Sequence, residues 1–168
     1  MTSFKKYIER LKSQYSREIT ALITGASSGM GLLYAKYLAE ADCNLLIVSN
    51  QEKELNEVAD DIRKEFGVNV IARYQDLSQE DAAQHLFDYC KKENVIIDIL
   101  INNAGMFFFH ELDDEYHKKM ELMLNLHVMT PSKMSRIFGD EMKKRGCGNI
   151  VLVSSMAARL PFPGITTY

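Results

Sequence analysis

Two kinds of hydrophobic pattern alternate along this chain. Short apolar or β-branched runs occur at residues 19–24, 44–49, 68–73, 98–102 and 149–154. Between them lie longer stretches in which apolar positions recur at three and four residues, as in Met30, Leu33, Tyr34, Tyr37 and Leu38, or Leu55, Val58, Ala59, Ile62 and Phe66. The first pattern predicts strands and the second amphipathic helices. Parallel strands need a crossover to bring the chain back, and a helix is the usual one, so the alternation predicts a parallel sheet. The runs are continuous rather than alternating, as expected where both faces of a sheet are covered. The expectation is an α/β protein: a doubly wound parallel sheet with three α/β/α layers, spanning residues 19–168.

Residues 1–18 stand outside this rhythm and are expected to be an N-terminal amphipathic helical extension. Phe4, Tyr7, Ile8, Leu11 and Tyr15 share one helical face, with Lys5, Lys6, Arg10 and Lys12 elsewhere. Such a helix packs on its own domain or on a second subunit. The alternative is a membrane surface, against which Glu9 and Glu18 dilute the basic charge.

Composition narrows the class. With 168 residues, 46% of them hydrophobic and 26% charged, the chain can bury a core of ordinary size. Its net charge of -3 gives no reason to expect nucleic acid or an anionic membrane as partner. No apolar signal-like segment occupies the first twenty residues, and apolar runs such as 45–48 are too short to span a bilayer. The three cysteines, Cys43, Cys90 and Cys147, match no metal spacing, and a reducing cytoplasm is their simplest home.

Chemistry enters with Thr24-Gly25-Ala26-Ser27-Ser28-Gly29-Met30-Gly31, which leaves the first strand and opens a helix. Gly25 permits the tight turn, Gly29 lets backbone approach a pyrophosphate, and Gly31 lets the helix sit close to the sheet. The helix N-terminus then offers N–H groups and a positive dipole end to phosphate. Further along stand Asp76-Leu77 after the third run, Asn102-Asn103-Ala104-Gly105 after the fourth, Asn125 between two leucines, Ser155 after the fifth, and Tyr168 thirteen residues beyond it. In this order and spacing the motifs resemble those of the short-chain dehydrogenase/reductase family, and the resemblance runs from about residue 19 to the last residue.

That resemblance implies a hydride-transfer enzyme in which residues 19–168 form a Rossmann-type dinucleotide-binding domain, its C-terminal strands and helices lying past the last residue of this sequence. Gly25, Ser27, Ser28, Gly29, Met30, Gly31, Ser49, Asn50, Asp76, Leu77, Asn103, Ala104, Gly105 and Tyr168 would bind the cofactor, with Asp76-Leu77 against adenine. Tyr168 would be the proton donor or base, Ser155 would hold the carbonyl oxygen, and Asn125 would hold a water of the proton relay. A phenol titrates near ~10 and is a poor base at neutral pH. The resemblance implies the remedy, a lysine four residues after the tyrosine, which lies past the last residue of this sequence. It also implies assembly as a homodimer or homotetramer. No metal is called for.

The second strand ends in Ser49-Asn50-Gln51, without the acid that would hold a ribose 2′-OH and repel a 2′-phosphate. NADP is therefore favoured over NAD, although no arginine marks a phosphate site and Lys53 begins a helix. Phe107-Phe108-Phe109 and Leu160-Pro161-Phe162-Pro163-Gly164 border the substrate cleft in the family, which suits an apolar alcohol or ketone, or else they pack on a partner. His110 and His117 read as surface residues, Asp113 and Asp114 as a helix cap, and Thr130-Pro131 as the start of a new helix. A non-catalytic dinucleotide-binding sensor or scaffold is the alternative function; a lyase or epimerase fits the glycine spacing less well. The strand order is expected to be 3-2-1-4-5, leaving one sheet edge open and the stripe Met134, Ile137, Phe138 and Met142 in need of a partner.

Overall fold

Parallel pairing brings the carboxyl ends of the strands to one edge of the sheet, and that edge decides where a site can form. The computed structural model describes residues 3–107 and 116–160. In chain order the elements are α1 (Ser3–Tyr15), β1 (Thr20–Thr24), α2 (Gly29–Glu40), β2 (Asn44–Ser49), α3 (Glu52–Phe66), β3 (Val70–Tyr74), α4 (Ala82–Lys92), β4 (Ile99–Asn102), α5 (Tyr116–Leu124), α6 (Thr130–Arg145) and β5 (Asn149–Leu152). The five strands form one sheet in the order β3-β2-β1-β4-β5, and every pair is parallel. Leu22 stands between Leu46 and Leu100, so the middle of the sheet is apolar from strand to strand.

Successive strand residues feed two separate cores. Ala21, Ile23, Leu45, Ile47, Ile99 and Ile101 face α1, α2 and α3, whereas Leu22, Leu46, Val48 and Leu100 face α4 and α6. This is the expected three-layer arrangement. Ile8 and Leu11 of α1 are buried in the first core, and Tyr7 at its exposed edge donates from its hydroxyl to Asn149 Oδ1 at 3.1 Å. The apolar face of α1 thus packs on its own sheet. Among the described residues no helix is long and apolar enough to cross a membrane.

Two readings of helical faces change. In α2 the buried residues are Gly31, Ala35, Leu38 and Ala39, while Met30, Leu33 and Tyr37 lie outside. Close packing on the strands favours the small Gly31, Ala35 and Ala39 there, beside Leu38, and turns Met30, Leu33 and Tyr37 to the surface. In α6 the stripe expected to lack a partner has one: Met134, Phe138 and Met142 are buried in the second core, and Phe138 meets Phe87 of α4 edge-on at 5.4 Å between ring centroids.

The start of α6 also differs. Helical backbone continues from α5 through a π turn at Asn125–Met129 into α6, so Thr130-Pro131 opens no new helix. In an uninterrupted α-helix Pro131 would deny a donor to the carbonyl four residues back and press its ring against it. The widened turn shifts the register by one residue, with the Thr130 N–H donating to the Asn125 carbonyl, and absorbs that conflict. Asp113 and Asp114 lie outside the described residues, as do His110, Phe108 and Phe109, and nothing is described of the His117 side chain.

At the amino end of the sheet, Asp98 is fully buried and accepts both arms of Arg17, Nη1 lying 2.7 Å from Oδ2, and the Thr20 N–H at 3.1 Å. Its backbone carbonyl accepts the Asn149 N–H at 2.8 Å. One residue therefore ties the start of β4 to the approach to β1 through its carboxylate and to the start of β5 through its backbone carbonyl. Cys43 and Cys90 are buried free thiols whose pKa burial pushes up to about 12, which makes both poor nucleophiles.

Exposure concentrates on β5, where Ile150, Val151 and Leu152 are 39%, 42% and 62% exposed. An apolar edge strand of this kind is a template for association. A polypeptide of residues 1–168 expressed by itself is expected to self-associate, and Leu152→Lys to shift it toward monomer. Light scattering at matched concentration checks this, and identical sizes for the two proteins would remove β5 as the cause.

Candidate functional site

The chain turns back over the sheet between β1 and β4, and at that reversal the carboxyl ends of the strands open into a cavity of about 1070 Å³. A crevice at this switch point is where open α/β sheets bind ligands. Thr24 builds its floor. The Thr24 hydroxyl oxygen accepts the backbone N–H groups of Asn103 and Ala104, each at 2.9 Å, and its carbonyl accepts Asn103 Nδ2 at 2.9 Å. The ends of β1 and β4 are thereby locked at one height.

The glycines work by close approach. A Cβ at Gly25 would stand 2.8 Å from the Ala104 Cα, and one at Gly31 would overlap the Gly25 carbonyl and come within 2.7 Å of Asn103 Nδ2. Gly31 thus sits behind the wall, and its crowding is with the preceding turn. Gly29 differs: its φ is +55°, and a Cβ there would meet nothing within 4 Å. Around it, Ser28 adopts an extended backbone and makes no side-chain cap, and the first turn of α2 carries no acid. The N–H groups and dipole of that helix end are left for an anion.

Beside the turn a neutral polar cluster closes the end of β2. Ser27 donates from its hydroxyl to Gln51 Oε1 at 2.7 Å and lies 2.9 Å from the Ser49 hydroxyl, which accepts the Gln51 N–H at 3.1 Å. Ser49 is buried and occupied within this cluster, while Asn50 is exposed on the cavity rim.

On the next loop Asp76 is engaged through both carboxylate oxygens. Oδ1 accepts the Ser78 N–H at 3.0 Å and the Ser78 hydroxyl at 2.7 Å, and Oδ2 accepts Gln79 Nε2 at 2.9 Å. Burial pushes its pKa up, but these donors outweigh it and hold the carboxyl below its ordinary value. Asp76 shapes its own loop: Oδ1 accepts twice and is filled, while Oδ2 retains one lone pair for a ligand donor. The Leu77 carbonyl accepts the Thr130 hydroxyl at 2.8 Å, which fastens this loop to α6.

The far wall comes from the loop after β4 and from the chain after β5. Asn103, Ala104, Gly105, Met106 and Phe107 line the cavity, with Ser155 opposite. Asn103 Oδ1 is buried with no hydrogen-bond partner among the described residues, an arrangement that costs about 1–3 kcal/mol unless a ligand donor reaches it. The Ser155 hydroxyl accepts the Ala157 N–H at 3.1 Å, so its own hydrogen remains to be donated. His127 accepts the Met106 N–H at Nε2, 2.8 Å away, and burial lowers its pKa.

Most of the expected residues converge. Gly25, Ser27, Ser28, Met30, Ser49, Asn50, Asp76, Leu77, Asn103, Ala104, Gly105 and Ser155 line one cavity, with Phe107 at its mouth. Gly29 and Gly31 support it from the turn, Asn125 lies on the π turn outside the lining, and Tyr168 is outside the described residues. Thr24, Gln51, His127 and Thr130 were not among the site residues expected from the sequence. Thr24 and Gln51 adjoin recognised motifs, but His127 and Thr130 are brought in only by tertiary contacts. Among the described residues no cluster of His, Cys, Asp or Glu could hold a metal ion.

The family model described as short chain dehydrogenase matches residues 19–168. Very-long-chain 3-oxoacyl-CoA reductase of Anas platyrhynchos is 30% identical over 155 residues, covering 88% of this chain and 48% of that relative. Dehydrogenase/reductase SDR family member 4 of Homo sapiens is 29% identical over 149 residues, covering 88% and 53%. The solved bulky-bulky ketone specific alcohol dehydrogenase from Comamonas testosteroni superposes with a TM-score of 0.82 at 30% identity, covering 89% of this chain and 60% of that one. A short-chain dehydrogenase from Sphingobium yanoikuyae in complex with NADPH gives 0.82 and 30%, covering 89% and 58%. The chain spans about half the length of the curated relatives it matches.

Thr24→Val keeps the shape of the side chain and leaves the Asn103 and Ala104 N–H groups without their acceptor. At about 1–3 kcal/mol for each orphaned buried donor, the loss is expected to be about 3 kcal/mol of stability, with Thr24→Ser losing less than about 1 kcal/mol. Urea unfolding of the three proteins measures this; a valine variant as stable as the parent would show that Thr24 does not hold the two strand ends.

Proposed function

The chain belongs to the short-chain dehydrogenase family, and from that premise we propose that it is an NAD(P)-dependent oxidoreductase acting on an alcohol or carbonyl compound. The observation that carries the reading is the convergence of the glycine turn, Asp76-Leu77, the loop 103–105 and Ser155 on one cavity. The residues fit a nicotinamide dinucleotide by three independent features: an uncapped helix end for the pyrophosphate, open space above Gly29, and the unpartnered Asn103 Oδ1.

When bound, the reduced nicotinamide supplies a hydride to the carbonyl carbon. The chain supplies the rest. Ser155 donates its hydroxyl hydrogen to the carbonyl oxygen and orients it, and Tyr168 delivers the proton that completes the alcohol, or removes it in the reverse direction. Asn125, on the π turn, holds a water that returns the proton to Tyr168. Ser28 and Met30 hold the pyrophosphate region, Asn103 and Gly105 the ribose and nicotinamide region, and Leu77 covers the adenine.

NADP is favoured. The Ser27–Ser49–Gln51 cluster and Asn50 carry no negative charge, so nothing there repels a 2′-phosphate. The Sphingobium yanoikuyae enzyme is described in complex with NADPH, and L-sorbose reductase from Gluconobacter frateurii in complex with NADPH and L-sorbose. Phe107, exposed and lining the same cavity as Ser155, favours an apolar alcohol or ketone. Assembly as a homodimer or homotetramer, and work in the cytoplasm, belong to the same reading.

Binding of NADPH is expected at micromolar Kd, about -8 kcal/mol, read from nicotinamide fluorescence. Gly29→Trp meets no protein atom near its Cβ, although a φ of +55° costs a non-glycine residue about 1–2 kcal/mol; it is expected to lose about that much stability, to remain folded, and to block the pyrophosphate, weakening binding by at least about tenfold, or 1.4 kcal/mol. A folded tryptophan variant that binds as well as the parent would end the assignment of that turn.

Tyr168→Phe retains the ring and removes the proton. In an active preparation it is expected to lower kcat by about a hundredfold or more while leaving the NADPH Kd within about twofold. Steady-state kinetics on a ketone that the parent reduces, paired with the same titration, checks both numbers. Near-parental turnover would exclude Tyr168 as the proton donor.

A further inference from the structure

The loop 103–106 is held at its entrance by Thr24, through the Asn103 and Ala104 N–H groups. We propose that His127 is a second, opposing clasp: a positioning residue that fixes the exit of this loop and so presets the cofactor-facing backbone between the two anchor points. This rests on the dinucleotide-site reading above and adds a residue to which that reading gives no part.

Two contacts carry it. The Met106 N–H donates to His127 Nε2 at 2.8 Å. The imidazole also lies against Gly105: a Cβ built there would stand 3.1 Å from Nε2, 3.7 Å from Cε1 and 3.8 Å from Cδ2. These distances bring the Nε2 edge of the ring against the glycine, so the hydrogen bond and the packing act on consecutive residues. A ring that accepts at Nε2 carries its proton on Nδ1 and is neutral.

The position on the chain gives the clasp its use. His127 belongs to the π turn Asn125–Met129, two residues beyond Asn125, and itself lines the cavity. Joining this turn to Met106 sets the spacing between the cofactor loop and the segment that carries Asn125. Ala104 and Gly105, which face the cavity between the anchors, then have little freedom to lose when a ligand arrives, and preorganisation of this kind appears directly as affinity. A histidine that only filled space would owe nothing to its acceptor nitrogen, and that difference can be measured.

The test uses the full chain with His127→Ala, His127→Gln and His127→Asn, reading amide hydrogen exchange at Met106 and NADPH affinity. Glutamine carries a neutral acceptor to about the reach of Nε2; asparagine is one bond shorter. Loss of one hydrogen bond is expected to speed Met106 exchange and raise the NADPH Kd about tenfold each in the alanine variant. The glutamine variant is expected to recover both to within about threefold, and the asparagine variant neither. A folded alanine variant with parental exchange and affinity would overturn the proposal, as would a glutamine variant no better than alanine. If the parent itself fails to bind NADPH while Met106 exchange responds as described, the dinucleotide reading falls and the clasp stands.

Discussion

β1 and β4 are separated by more than seventy residues of chain, yet the site exists only if they end at the same height, and a single hydroxyl enforces this. The Thr24 Oγ1 accepts two consecutive N–H groups from the chain leaving β4, and the Thr24 carbonyl accepts the side chain of Asn103. A parallel ladder satisfies backbone groups along the strands but leaves those beyond the last pair without partners. Thr24 satisfies them there, so the turn after β1 and the loop after β4 behave as one surface. Gly25 and Gly31 follow from this constraint, because the two segments approach closely enough that a Cβ at either position would strike backbone or Asn103.

The opposite end of the sheet is pinned by different physics. Asp98 is a buried charge, and a buried charge is tolerated only when paired and hydrogen-bonded. Arg17 and the Thr20 N–H meet that requirement from the segment leading into β1, which registers β1 and β4 at their starts as Thr24 does at their ends. The middle of the sheet is apolar and non-directional. Leu22, Leu46 and Leu100 would pack in several registers, whereas the polar groups at either end admit one.

The helix running from α5 into α6 shows how a local conflict becomes part of a site. Pro131 cannot continue a regular hydrogen-bond ladder, and the π turn at Asn125–Met129 takes up the mismatch. That turn carries Asn125 and His127, and just beyond it Thr130 holds the Leu77 carbonyl. The loop after β3 and the loop after β4 are thus both fastened to one irregular stretch of helix, and irregular helix turns recur at functional sites.

Much of this was legible in the residues alone. The alternation of apolar runs with helical spacing predicted the parallel strands, because burial on both faces and the need for crossovers leave few other solutions; their order followed from the family resemblance. The glycine turn was readable because its chemistry is local: a tight turn, a positive φ and a helix end all lie within eight residues. The faces of α2 and α6 were not, since spacing marks a stripe without saying which neighbour covers it; small residues won the sheet side of α2, and α4 covered Met134, Phe138 and Met142. Nor could spacing show that Asp76 spends both oxygens on its own loop, or that Thr130-Pro131 continues a helix instead of starting one. Thr130 and His127 act through partners 53 and 21 residues away, and contacts at such separations are set by how the layers pack, which only the folded chain decides.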